Sequence, residues 1–275
     1  MNFRRNMQKA QAYIKLVEKV TNLYIPPVKS GKVTLEAFGN DYGGCKEINL
    51  YTYWQGLNYA KNTPPIKYLL VGQDWGSKSQ ISDTFAERIK KINQGKSEVP
   101  YIDTEHDKNI FTTDKNLIEL FRQLGYGITE NESIEHKRYP ELFFTNFCLG
   151  YRKENSSKNM SKELMEHDIE YFQDLCKVLE PENILCLGKL TFRYVYESLT
   201  GKKATKLKYY NKGYNYFIEH HEKISVKYIK STIYPLAHCG TIGTMNRNRD
   251  VEAGAMRMSL NKQMKDWSKI AQETK

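Results

Sequence analysis

Short apolar runs that end at glycine or polar residues recur four times along the chain. They occupy residues 66–72, 141–147, 183–188 and 226–236. Runs of this kind are typical of strands in a parallel sheet, which are covered on both faces. The clearest helical patterns between and after them occupy residues 116–125, 161–179, 189–199 and 252–270. This alternation predicts an α/β fold with three α/β/α layers around a central, mostly parallel four-stranded sheet.

The first 62 residues have a different pattern. Residues 1–23 carry one apolar face, typical of an amphipathic helix, and Pro26 and Pro27 follow it. Residues 30–62 are rich in Gly, Asn and Tyr, which predicts a loop-rich segment. We therefore expect an N-terminal helix and loop-rich extension at 1–62 and an α/β domain at 63–275.

Polar or glycine residues follow each of the four predicted strands. Gln73 and Asp74 follow the first strand, Asn146 lies at the end of the second, Gly188 ends the third and His238 follows the fourth. The carboxyl ends of parallel strands share one edge, where open α/β sheets bind their ligands. We expect the acid, the amide and the imidazole to converge there on one pocket. An ordinary Asx turn and a satisfied buried amide are the structural alternatives.

The charge of the chain indicates a class of partner. The formal net charge is +10 and the pI is about 9.1, which favours a polyanion such as nucleic acid. The 20 tyrosines include rings that can stack on unpaired bases. Residues 202–216 are rich in Lys and Tyr and predict an exposed hairpin or loop. The basic residues of that stretch either contact phosphate or form an ordinary solvated surface, and the sequence is compatible with both.

The cysteine and histidine spacings argue against disulfides and metal sites. The five cysteines are odd in number and form no CxxC pair, which favours reduced thiols and a cytoplasmic location. No apolar run is long enough to span a bilayer, and no signal-peptide pattern is present. His220 and His221 lie beside acidic residues, but their spacing fits no zinc site, so we expect no metal. We also expect a monomer.

Four segments together resemble the motifs of the uracil-DNA glycosylase superfamily. They are GQDWG at 72–76, TNF at 145–147, LGKLTFRYV at 187–195 and LAHCG at 236–240. Their order, spacing and positions at strand ends agree with the family from about Ile66 to the C-terminal helix. The resemblance implies a uracil-DNA glycosylase-like fold and a DNA glycosylase that removes uracil or a related damaged base from DNA.

The resemblance also implies which residues catalyse the reaction. Asp74 would position the hydrolytic water and stabilise the cationic sugar, and His238 would hydrogen-bond an oxygen of the departing base. This chemistry suits the reaction, since cleavage of an N-glycosidic bond builds positive charge on the sugar and negative charge on the base. Adjacent His238 and Cys239 also suggest a Cys-His pair, but strand neighbours point to opposite faces.

Base recognition is likewise implied by the resemblance. The base-binding residues would be Gly72, Gln73, Gly76, Phe111 and Asn146. Asn146 would recognise the uracil edge, because an amide can donate and accept hydrogen bonds together. Phe111 would stack on the flipped base, and Ile242 would enter the minor groove as an apolar wedge. Taken alone, Phe111 and Ile242 can equally be core or inward-packed residues.

The chain also departs from the family pattern. Trp75 replaces a proline, Gly76 stands where the best-known branch has a thymine-excluding tyrosine, and Cys239 and Gly240 replace a proline and a serine. Loss of the tyrosine would widen base specificity. The cysteine spacing does not match the iron-sulfur branches, so we expect no cofactor. The alternatives are a diverged protein that binds nucleic acid or a base without cleavage, and a hydrolase of free nucleotides.

Overall fold

The computed structural model describes residues 2–21, 23, 26–36, 58–74, 112–129, 139–152, 160–250 and 255–275. The helices are α1 (Asn2–Thr21), α2 (Asn58–Asn62), α3 (Thr112–Gln123), α4 (Lys162–His167), α5 (Ile169–Leu179), α6 (Lys189–Thr200), α7 (Tyr214–His220), α8 (Thr241–Arg247) and α9 (Asn261–Glu273). The strands are β1 (Val28–Ser30), β2 (Val33–Glu36), β3 (Tyr68–Gly72), β4 (Leu142–Asn146), β5 (Tyr151–Arg152), β6 (Asn183–Leu187), β7 (Ile224–Val226) and β8 (Ser231–Leu236). None of these described helices combines the length and apolar character needed to cross a membrane.

The central sheet has five strands in the order β4-β3-β6-β8-β7. The first four are parallel, and β7 pairs antiparallel with β8 at the edge. The expected four-stranded sheet is therefore wrong, and the fold is α/β with a mixed five-stranded sheet flanked by helices. The prediction treated 226–236 as one strand, whereas residues 227–230 form a turn in which Lys230 adopts a φ of +55°. That turn reverses the chain and adds the edge strand.

Successive strand residues alternate between two apolar clusters, one on each face of the sheet. Leu69 and Val71 join the cluster formed with α1, α5 and α6. Tyr68 and Leu70 join the cluster formed with α3 and α9. All residues of β3 and β6 are buried, which explains why their sequences are apolar except for Asn183 at the start of β6.

Several predicted elements are confirmed. The apolar runs at 66–72, 141–147 and 183–188 form β3, β4 and β6, and the pattern at 189–199 forms α6. The predicted helix at 161–179 is two helices, because the chain breaks at Asp168, whose carboxylate accepts the Leu149 N–H at 2.8 Å. The last helix begins at Asn261 rather than at residue 252.

The described part of the N-terminal segment packs onto the sheet. The predicted helix is confirmed as α1, and its Tyr13 ring lies 4.9 Å from that of Tyr59 in the first apolar cluster. The stretch expected to be loop-rich contains the hairpin β1–β2, which turns at Gly31 with a φ of +59°. This hairpin pairs with β5 to form a second, three-stranded sheet. The proposed boundary at residue 62 stays a prediction.

Candidate active site

Asn146 lies across the carboxyl end of β3. It pairs with Gly72 in the β3–β4 register, and the pairing continues as Phe147 and Cys148 donate to the carbonyls of Gly72 and Gln73, both at 2.9 Å. A Cβ on Gly72 would overlap Asn146 Oδ1, so only glycine leaves room for this amide. The Asn146 side chain is thus buried where sequence placed it, at the edge where ligands bind.

Hydrogen bonds from Arg152 and Gln73 hold Asp74. Its Oδ1 accepts from Arg152 Nε at 2.8 Å, and its Oδ2 accepts from Gln73 Nε2 at 2.9 Å. The Asp74 and Arg152 side chains are only 5% and 6% exposed, so this is a buried ion pair. Charge-assisted hydrogen bonds in such an environment are strong and fix the geometry of both partners. The carboxylate therefore has one defined orientation.

The sequence does not mark Arg152 as a site residue. It lies in the two-residue strand β5, which pairs with β2 through the contact of Leu35 with Arg152. The N-terminal hairpin thus positions the guanidinium that holds Asp74. No local pattern marks this arginine, because both its strand partner and its carboxylate partner are distant in sequence.

His238 is set up as a donor through Nε2. Gly240 donates its backbone N–H to His238 Nδ1 at 3.0 Å, which places the proton of the neutral ring on Nε2. Part of His238 is exposed to solvent, and protein atoms surround the rest of it. This desolvation lowers the pKa of His238 from its ordinary value, and the Asp74 carboxylate partly opposes the shift. His238 is therefore neutral at pH 7 and close enough to Asp74 to sense its charge.

Neighbouring helices hold the turn that carries His238. Asn116 of α3 donates to the Cys239 carbonyl at 2.6 Å, and Gln263 of α9 donates to the His238 carbonyl at 3.2 Å. A Cβ on Gly243 would overlap the His238 carbonyl, so α8 can approach this closely only with glycine there. These contacts fix the backbone of His238 from two sides.

Cys239 points away from the site. It is fully buried in the apolar cluster with α3 and α9, and this burial raises the pKa of its thiol. A buried thiol with a raised pKa is a poor nucleophile. A Cys-His pair of Cys239 with His238 therefore has no support in the geometry.

Arg247 joins three helices behind this turn. Its Nε and Nη2 donate to the two carboxylate oxygens of Asp266, both at 2.9 Å, and its Nη1 donates to Glu219 at 2.8 Å. Arg247 is only 3% exposed. The contacts connect α7, α8 and α9 and give the turn after β8 a rigid support.

A cleft of about 530 Å³ opens beside His238. Its walls include the cations Lys189, Lys212 and Arg249 and the ring of Tyr216. Asp74 and Asn146 do not line it, so the cleft lies on the β8 side of His238, away from the ends of β3 and β4. His238 is thus shared between the pocket expected from sequence and a basic cleft that sequence did not predict.

The structure brings most of the predicted site residues to one edge. Gly72, Gln73, Asp74 and Asn146 lie at the ends of β3 and β4, and His238 follows β8. A Cβ on Gly188, at the end of the intervening β6, would lie 3.8 Å from the His238 Cβ. The remaining predicted residues are Gly76, Phe111 and Ile242.

Of those three, only Ile242 can be placed. It lies in the first turn of α8 and is 72% exposed, so it does not pack inward. Gly76 and Phe111, like Trp75, lie outside the described residues. Across the described ranges, no cluster of three or more His, Cys, Asp or Glu residues is arranged to hold a metal ion.

Comparison with known proteins adds no assignment to this geometry. No protein-family model matches the chain, and a search of curated proteins finds no match. Interpretation of the site consequently depends on its residues and their contacts.

Proposed function

We propose that the protein is a DNA glycosylase that hydrolyses the N-glycosidic bond of uracil or a related damaged base. A three-layer α/β/α fold like that of the uracil-DNA glycosylase superfamily belongs to the same proposal. The observation that carries it is a fixed carboxylate, Asp74, and a neutral Nε2 donor, His238, on one sheet edge. A reaction that separates positive charge on a sugar from negative charge on a base needs these two groups.

Asp74 acts on the sugar side of the bond. As the bond to the base breaks, the anomeric carbon becomes cationic, and the carboxylate stabilises it through space. The oxygen of water then bonds to that carbon, and the water loses one proton to solvent, which balances the proton that the released base anion takes up. Arg152 and Gln73 orient the carboxylate, which also positions the water.

His238 acts on the leaving base. Its Nε2–H donates to the base oxygen on which negative charge develops, and the Gly240 N–H bond to Nδ1 keeps the ring in the tautomer that can do so. One preorganised donor of this kind contributes about 10²–10³ in rate. Because the ring is already neutral at pH 7, no proton must leave before it can donate.

The other predicted residues complete the binding of the base. The buried Asn146 amide recognises the base edge, and Gly72 gives it the room to do so. Ile242 enters DNA beside the flipped nucleotide as an apolar wedge, and its exposure on α8 supports this role. Phe111 and Gly76 remain proposed contacts to the base from the resemblance alone.

A binding protein without catalysis is the second candidate, and one observation favours it. Arg152 compensates the charge of Asp74, which weakens the field that the carboxylate exerts on a cationic sugar. In this alternative the edge would bind a base or a nucleic acid strand and leave the bond intact. The basic charge of the chain suits both candidates.

Base release from DNA separates them. End-labelled single- and double-stranded oligonucleotides with one uracil are incubated with the protein and then cleaved with alkali at abasic sites. We expect uracil release by the native protein and its loss in Asp74→Asn and in His238→Ala. Salt-dependent binding of the DNA without release of uracil or another damaged base would overturn the glycosylase proposal and favour the binding protein.

A further inference from the structure

A cluster of rings and cations lies next to the cleft beside His238. We call its members Tyr209, Lys212, Tyr216 and His220 the tyrosine platform. The Tyr216 and His220 rings are stacked, with centroids 3.9 Å apart and planes 11° apart. The Lys212 ammonium lies 5.5 Å from the centroids of both Tyr209 and Tyr216. Tyr216 and Lys212 also line the cleft, so the platform and the cleft form one continuous surface.

The platform leaves one face of Tyr216 uncovered by its neighbouring rings. His220 covers the opposite face. The Tyr209 centroid lies 5.6 Å from Tyr216 and 6.2 Å from His220, with its ring nearly perpendicular to both. These similar distances place Tyr209 beside the stack, because a ring above Tyr216 would lie much farther from His220. The Lys212 ammonium lies over the Tyr216 ring, 5.5 Å from its centroid. Tyr216 is 37% exposed, so a further planar group can extend the stack once this flexible side chain turns toward a phosphate.

The cations along this surface lack acidic partners among the described residues. Lys189, Lys212 and Arg249 are exposed in the cleft, and none forms an ion pair with a described carboxylate. Lysines at ordinary surface positions of this protein often do, as Lys208 does with Glu222 at 3.0 Å. Three exposed cations that have no acidic partner in the described part of the chain attract a polyanion to an open cleft.

We propose that the cleft and the tyrosine platform bind unpaired nucleotides of single-stranded DNA. One base stacks on Tyr216 while Lys212 and Arg249 contact phosphates. An exposed ring flanked by cations suits single strands, because the faces of bases inside a duplex are already covered by their neighbours. The inference rests on the proposed function, which it deepens by naming a single strand as the preferred substrate. His238 lines the cleft, so the bound nucleotides are those next to the base in the active site.

Binding of DNA that contains no uracil tests the inference directly. Fluorescence anisotropy measures the Kd of a labelled oligothymidine strand and of a matched duplex. In the double variant Lys212→Ala/Tyr216→Ala, the Kd for the single strand should rise about fivefold or more, as expected for the loss of one stacked base. The Kd for the duplex should change less, and Tyr216→Phe should restore most of the single-strand affinity.

A matched control exists at the opposite end of the same sheet. Lys227 and Tyr228 are both exposed in the turn between β7 and β8, far from the carboxyl edge. Lys227→Ala/Tyr228→Ala removes the same two side-chain types and should leave both Kd values unchanged. Far-ultraviolet circular dichroism and thermal unfolding confirm that each variant is folded before binding is compared.

The outcomes separate this inference from the glycosylase proposal. Native-like single-strand binding by the folded platform variant overturns the inference even if uracil is released normally. Equal losses on single strand and duplex overturn it too, since they indicate phosphate contact without stacking. Selective loss of single-strand binding supports the platform, and it does so even if no base is released, in which case the glycosylase proposal fails by itself.

Discussion

The two flanks of the candidate site differ in how their charges are satisfied. At the ends of β3 and β4, Asp74 is buried and held by Arg152 and Gln73. After β8, His238 is exposed and lies beside cations that have no acidic partner among the described residues. A buried ion pair in a reactive site affects both the activity and the free energy of unfolding. An exposed side chain can be substituted with little effect on stability. Substitutions should therefore act on both stability and activity at the first flank and mainly on activity at the second.

Asp74→Asn should have the largest effect of all. It removes the carboxylate charge that faces the buried Arg152 guanidinium, which should lower the free energy of unfolding by about 3 kcal/mol. It also removes the charge opposite the cationic sugar, so base release should fall at least about 10³-fold. Urea unfolding and single-turnover base release measure the two effects.

Arg152→Met is the matched change on the other partner. Alone it should destabilise the fold by a similar amount, and Asp74→Asn/Arg152→Met should recover most of the stability but none of the activity. If Asp74→Asn unfolds at the native urea midpoint, the ion pair does not stabilise this flank and the contrast between the flanks fails.

His238→Ala should separate activity from stability. Base release should fall about 10²-fold through loss of the Nε2 donor. The free energy of unfolding should change by less than about 1 kcal/mol, since the side chain is exposed and makes one hydrogen bond to Gly240. A large loss of stability would show that the second flank is as tightly coupled to folding as the first.

Gly243→Ala tests the support of His238 from α8. A Cβ there overlaps the His238 carbonyl, so the turn must shift, which should cost about 1–3 kcal/mol. The displaced imidazole should slow base release by more than about tenfold. Gly201→Ala is the control, because its Cβ meets open space although its φ is +68°. It should cost about 1–2 kcal/mol in strain and leave base release unchanged.

The pH dependence of base release should show the smallest effect. Since desolvation by the surrounding protein atoms lowers the pKa of the partly exposed His238, the ring stays neutral as the pH falls to about 6.5, the ordinary histidine value. The rate should hold down to that pH and decline only below it, when a proton on Nδ1 displaces the Gly240 N–H. Any stability that neutral His238 contributes should likewise be present above about pH 6.5 and be lost as the pH falls below it. The reason is that the unfolded state, in which the histidine pKa is higher, binds the proton first. A decline that begins above pH 7 would contradict this.

The sequence predicts the first flank's backbone but not its electrostatics. The runs of β3, β4 and β6 are mostly apolar, and their buried polar residues, Thr145, Asn146 and Asn183, lie at or next to strand ends. The strand ends, and hence Asp74 and Asn146, could therefore be placed from sequence. Arg152 could not, because it reaches Asp74 through a short non-local pairing of β5 with β2. The hairpin turn at Gly31 did have a local signal, in the alternation that flanks it.

The second flank was predicted less completely. His238 follows a strand whose apolar end is clear, yet its supports, Asn116 and Gln263, come from helices far away in sequence. The edge strand β7 has three residues and alternating burial, too short a pattern to separate from the turn after it. The stacking of Tyr216 on His220 depends on α7, whose first three residues belong to the stretch at 202–216 that was expected to be an exposed hairpin or loop.

The most direct test of the account asks whether the two flanks act on one transition state. Single-turnover base release from uracil-containing single-stranded DNA is measured for the native protein, Asp74→Asn, His238→Ala and the double variant. If the carboxylate and the imidazole stabilise opposite charges of one breaking bond, the double variant should lose much less than the product of the two single losses. Losses that multiply, or a native protein that releases no base, would contradict the account.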